Sequence, residues 1–206
     1  TGIAANLSAS TITADNSTPG DVDIDNALEG AVAVTTLTTA GGGIILFENT
    51  GAGGVSFGTV STTTDGSPAD GEDDITLSSD GGSLTITTSV TADGAGDVIL
   101  NTTNAGNVVL TGTTTAVANQ VTVNSVGHIS GAGLVTAATV DLNAATGIAA
   151  NLSASTITAD NSTSGDVDID NALATAVTVT TLTTAGGGTI LFENTGAGGV
   201  SFGTVS

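Results

Sequence analysis

The chain has 206 residues, no Lys, Arg, Cys, Met, Trp or Tyr, one His and 20 acidic residues, giving a formal net charge of −20. Without cations it lacks the groups that neutralise phosphates in nucleic acid and the basic residues that dock on anionic membrane. The missing cysteine excludes a disulfide framework and thiol chemistry, and no apolar run approaches the roughly 20 residues needed to cross a bilayer. Disorder does not fit either: 10% of residues are charged, 39% are hydrophobic, and Val, Ile, Leu and Thr recur in alternation.

Taken in chain order, the sequence reads as many short strands. Val22 and Ile24 alternate with Asp21, Asp23 and Asp25, and Val32 and Val34 lead towards Leu37. After the apolar run Ile44-Ile45-Leu46-Phe47 come Ile75 and Leu77, then Leu84, Ile86 and Val90. Val98-Ile99-Leu100, Val108-Val109-Leu110, Val121-Thr122-Val123, Leu134-Val135 and Val140-Asp141-Leu142 continue the pattern. β-Branched residues dominate and the period is two, as in half-buried strands. Between the runs lie clusters such as Gly41-Gly42-Gly43, Asp80-Gly81-Gly82 and Gly131-Ala132-Gly133, whose residues suit tight turns. No stretch shows a helical period with caps.

Residues 1–61 return at 146–206, an offset of 145, with exchanges only at Pro19/Ser164, Glu29/Ala174, Gly30/Thr175, Ala33/Thr178 and Ile44/Thr189. A fixed period signals a repeat architecture. The chain is therefore read as one continuous domain, residues 1–206, cut from a longer array, with any secretion signal or anchor outside it. Only four aromatics are present, Phe47, Phe57, Phe192 and Phe202. That is too few for a sandwich core but enough for a solenoid, whose thin coils cover one another. The expected fold is all-β, a right-handed parallel β-helix with roughly 20 residues per coil and about ten coils. One 145-residue period would then be about seven coils and would return the same face roughly every 35 Å. Asn6, Asn26, Asn101, Asn107 and Asn124 are expected to form amide ladders between coils. Open ends invite pairing with further copies of the chain, end to end or laterally.

The acidic residues are the candidate ligands. Asp21, Asp23 and Asp25 fall on one face of a strand, and the set recurs as Asp166, Asp168 and Asp170. Asp70, Glu72, Asp73 and Asp74 form a dense turn around Gly71. Oxygen ligands on a Gly-containing loop make Ca²⁺ the candidate ion, although neither an EF-hand nor a calcium β-roll nonapeptide is present. The competing reading is a solvated acidic face that keeps the molecule soluble. Catalysis is not expected. His128 is flanked by Ser125 and Ser130 in a strand-and-turn setting with no sign of a triad. The carboxylates lack an aromatic platform for a sugar. The Gly clusters lack the lysine of a phosphate loop. The Asn-x-Ser/Thr sequons at Asn6, Asn16, Asn101, Asn151 and Asn161 follow from composition.

The segments GDVDIDNA, GSLTITTSVTADGAGDV, GDVILNTTNAGNVVLTG and ISGAGLVTAATVDLNAATGIA resemble the repeats of filamentous-haemagglutinin-like adhesins, giant bacterial exoproteins. The resemblance implies a right-handed β-helix, a secreted or cell-surface location, and roles in attachment and aggregation. The chain departs from the family in having no basic residue, which removes the means of binding heparin-like polyanions. Resistance to trypsin-type cleavage and to sulfur oxidation suits a long-lived extracellular polymer. The expected function is an extracellular adhesive stalk segment. The alternative is a self-assembling fibre or sheath of laterally packed solenoids bridged by Ca²⁺.

Overall fold

The computed structural model describes residues 2–64 and 72–206. Among them there is no helix. Parallel strands stack as a β-solenoid of about 9 turns, with equivalent residues roughly 23 apart. The strands in chain order are β1 (Ile3–Leu7), β2 (Thr11–Pro19), β3 (Val22–Asn26), β4 (Val32–Ala40), β5 (Ile45–Asn49) and β6 (Val55–Thr63). Then come β7 (Ile75–Ser79), β8 (Leu84–Thr91), β9 (Val98–Thr102), β10 (Val108–Leu110), β11 (Thr113–Ser125) and β12 (Ile129–Ser130). The last six are β13 (Leu134–Ala144), β14 (Ile148–Asn161), β15 (Val167–Asn171), β16 (Val177–Thr184), β17 (Ile190–Asn194) and β18 (Val200–Val205).

The ladders divide the rod into three sides. The first side stacks β1, β3, β5, β7 and β9, then residues 121–125, 140–144 and 157–161, the last parts of β11, β13 and β14. The second side stacks residues 32–34, 55–57 and 84–86, then β10, β12, the start of β14, β15 and β17. The third side stacks residues 36–40, 59–63, 89–91, 113–116, 134–137 and 151–154. Strand alternation puts every second side chain inward. On the first side Val22, Ile45, Ile75, Val98, Val121 and Val140 form one inward column. All six are fully buried. The core is thus made of thin stacks of medium-sized side chains. Its largest buried side chains include the edge-to-face pair Phe47–Phe57, with centroids 5.1 Å apart.

The corners are as regular as the columns. The last residue of each first-side strand turns inward and is polar in five successive coils: Asn26, Asn49, Ser79, Thr102 and Ser125. A short amide or hydroxyl there can bond the carbonyls of the turn that follows, which would otherwise be buried without partners. Asn49 donates to the Gly51 and Gly53 carbonyls, each at 3.1 Å, and accepts from Asn26 at 2.8 Å. Thr102 donates to the Gly106 carbonyl and Ser125 to that of His128. The turns also need close backbone approach. A Cβ on Gly53 would lie 1.8 Å from the Gly30 carbonyl oxygen, and one on Gly198 would lie 1.7 Å from that of Thr175.

The expected solenoid is present, its coils roughly 23 residues apart and about 9 in number. The step varies. Coils are offset by 23 residues at Asn26/Asn49 but by 19 at Asn124/Asn143 and 17 at Ala138/Ser155, where the corner loops shorten. The 145-residue period is therefore not a whole number of coils. From Val22 the first-side ladder climbs six steps to Ile157, through Ile45, Ile75, Val98, Val121 and Val140. The repeat partner of Val22 is Val167, which lies beyond Ile157 and on the second side, paired with Ile148. One period is six turns plus one side. The second copy rises about 30 Å along the rod, at about 4.8 Å per coil, and is rotated by about a third of a turn.

Local registers are nevertheless identical in the two copies. Ile3 pairs with Val22 as Ile148 does with Val167, and Thr13 with Thr36 as Thr158 does with Thr181. None of the five positions exchanged between the copies is buried. Drift has been confined to places where packing does not read the side chain.

Candidate functional site: the outer faces of the rod

The outward columns carry whatever chemistry the rod presents. Asp21, Asp23 and Asp25 are exposed on β3 and its approach, with Val22 and Ile24 inward. Asp21 also ties coils together. Its carboxylate accepts from the Ile44 N–H at 3.1 Å, one coil away. Asp166 does the same for Thr189 at 2.7 Å. Asp74 caps Asp97 at 2.8 Å and Asp97 caps Gln120 at 2.9 Å. The recurring aspartate just before a strand, on the first side at Asp21, Asp74 and Asp97 and on the second at Asp166, is thus a clip between coils, satisfying a backbone donor at the strand entrance. Replacing Asp166 by Ala is expected to cost about 1 kcal/mol, while Asn keeps the acceptor and costs little. Hydrogen exchange at the Thr189 amide checks this, and equal protection in both variants would refute it.

Asp23 and Asp25 stack on Leu46 and Glu48 in the next coil, and Asp168 and Asp170 stack on Leu191 and Glu193. A shallow groove is lined by Asp23, Asp25, Leu46 and Glu48, with Thr76 and Ser78 in the coil beyond. Leu46 is 39% exposed within it. Because the second copy is turned by one side, the two acidic sets face different directions. Among the described residues, no three acidic or histidine side chains converge as the ligands of one metal ion would.

The acidic turn is only partly described. Asp70 lies outside the described residues. Glu72 is half-buried, and Asp73 is buried with a φ of 63°. The Asp73 carbonyl accepts from the Thr62 hydroxyl at 2.8 Å, and that hydroxyl accepts from the Asp93 N–H at 3.1 Å. This corner joins neighbouring coils. His128, Ser130, Asp166 and Asp168 line another shallow furrow. The His128 backbone is fixed there by the Asn107 side chain at 3.0 Å.

The amide ladders form at Asn26–Asn49 and, on the outside of the first side, along Asn101–Asn124–Asn143 at 2.8 and 3.1 Å. The first is repeated in the second copy as Asn171–Asn194 at 3.1 Å. Asn107 bonds the backbone instead of another amide.

Sequence reasoning missed the outward columns of the third side. One holds Thr13, Thr36, Thr59, Ser89 and Thr113 on successive coils. The other holds Thr38, Ser61, Thr91, Thr115, Thr136 and Ser153. The signal in the sequence is a hydroxyl residue on each side of an apolar one, as in Thr36-Leu37-Thr38 and Ser89-Val90-Thr91. Unequal coil lengths hide its alignment. Comparison of the chain with protein families, characterised proteins and solved structures finds no match.

Proposed function

We propose that the chain is a structural and adhesive stalk segment of a giant repetitive bacterial surface protein, acting outside the cell in attachment or cell–cell contact. The observation that carries this reading is the seam between the copies. β14 pairs with β12 and β13 on one side and with β15 and β16 on the other, so the second copy joins the rod without a break. An architecture in which each coil touches only its neighbours can be lengthened by gene duplication at little cost. The filamentous-haemagglutinin-like phrasing of the segments supports the same reading. So does a composition without trypsin sites or oxidisable sulfur.

Function in such a stalk is mechanical reach combined with many weak contacts. The turn of one side per period adds a geometric rule. Identical patches point in successive directions around the rod, so one flat surface meets only every third copy.

The second reading, a laterally packed fibre bridged by Ca²⁺, draws on one observation. Asp25 and Glu48 stand in the same outward column one coil apart, with no cation in the chain to offset them. Electron microscopy with and without a calcium chelator separates the two. The stalk reading predicts single rods of unchanged appearance in both. Ordered bundles that dissolve on chelation would overturn it in favour of the fibre.

A further inference from the structure

The third side differs from the rest of this acidic rod. The outer columns of the first side carry Asp23, Asp25, Glu48, Asp141 and Asp160, and the second side gains Asp168. From Thr36 to Ser153 the two third-side columns carry no charge, and only Leu134 and Asn151 break the run of hydroxyls. The hydroxyls are available. Thr13 bonds Thr35 and Thr38 bonds Asp15, while among the described residues no other side chain of either column has a hydrogen-bond partner. Their spacing is about 4.8 Å along the rod and about 7 Å across each strand.

A ligand for this face is uncharged, rigid and periodic. A crystalline polysaccharide and an ordered water lattice both have those properties. Sugar faces are held by aromatic platforms, and none of the four phenylalanines stands in either column. Water fits better. Each hydroxyl offers one donor and two acceptors. Threonine methyls order the adjoining water without binding it. The stiff β-branched χ1 fixes both groups in place, so little side-chain freedom is lost on contact. A carboxylate would orient water around itself and spoil the lattice; between Thr36 and Ser153 the two columns carry none, and Asp15 and Asp170 stand in the coils that bound them.

We propose that the third side of the rod is an ice-binding face, on which two in-register columns of Thr and Ser hydroxyls hold the outermost layer of ordered water. This goes beyond the stalk reading and does not depend on it. The test grows single ice crystals in solutions of the whole chain and measures the gap between melting and freezing. Wild type is expected to facet the crystals and open a gap. Thr91→Tyr, in the middle of the face, abolishes it. Thr76→Tyr, equally half-buried on the first side, leaves it unchanged. Circular dichroism confirms that both variants remain folded. Wild-type crystals that grow as in buffer alone would overturn the assignment, as would equal losses in the two variants. Retention on crystalline cellulose that Thr91→Tyr removes, with no effect on ice, would overturn it in favour of a polysaccharide.

Discussion

Replacing Phe57 by Ala is expected to cost about 3–5 kcal/mol, and the same replacement at Phe202 less than about 1 kcal/mol. The two residues occupy equivalent places in the copies, and each packs edge-to-face against its partner phenylalanine, with centroids 5.1 and 5.4 Å apart. Only burial differs: Phe57 is fully buried beneath β8, whereas Phe202 is 53% exposed. Truncating Phe57 removes a large apolar contact and leaves a cavity closed by the next coil. At Phe202 much of the ring already meets water. Repeat arrays lose two-state cooperativity, so the effect should be read coil by coil in hydrogen exchange. Protection at the backbone amides of residues 55–57 and 84–86 should fall sharply in Phe57→Ala. The amides of residues 177–179 should barely change in Phe202→Ala. Similar losses would mean that position in the rod does not govern the energy.

The second large effect concerns a polar residue. Asn49→Ala is expected to destabilise by about 3 kcal/mol or more, because it strands the Gly51 and Gly53 carbonyls and the Asn26 amide together, at about 1–3 kcal/mol each. Asn49 is fully buried and makes all three bonds. Ser79 stands next to it in the same inward column, is equally buried, and its hydroxyl has no partner. Ser79→Ala should therefore be neutral or stabilising, since it removes an unpaired buried group. Thermal unfolding of the two variants side by side checks the pair. An unstable Ser79→Ala protein would show that the column acts through packing and not through its hydrogen bonds.

The solenoid itself was legible in the sequence. Alternation at Val22-Asp23-Ile24-Asp25 and at Val121-Thr122-Val123, punctuated by Gly and Asn, left no helix to place, and the scarcity of aromatics pointed to thin stacked coils. The exposure of Asp21, Asp23 and Asp25 followed from the same alternation. Coil length did not follow, because it depends on corner loops whose size varies. The loop after Asn49 runs to Gly54, whereas the one after Ser125 has closed by Ile129. That variation sets the angle between the copies, and no periodicity along the chain reveals it. The inter-coil work of Asp21 was hidden for a related reason: its partner, the Ile44 amide, is 23 residues away. The hydroxyl columns were present as Thr-x-Thr spacings, but they become surfaces only when coils of unequal length come into register.

The central claim is that one period amounts to six turns plus one side, so that the second copy faces a new direction. Engineered disulfides test it directly in a chain that has no cysteine of its own. Neighbouring coils bring paired Cα atoms to about 4.8 Å, within the roughly 4.4–6.8 Å that a disulfide spans. The registers pair Ala149 with Asp168 and Asp141 with Thr158. The double variants Ala149→Cys/Asp168→Cys and Asp141→Cys/Thr158→Cys should each close on mild oxidation, with the folded spectrum intact, while Asp141→Cys/Asp168→Cys should stay reduced. Closure of that last pair, with the first two open, would place the second copy on the same side as the first and contradict the account.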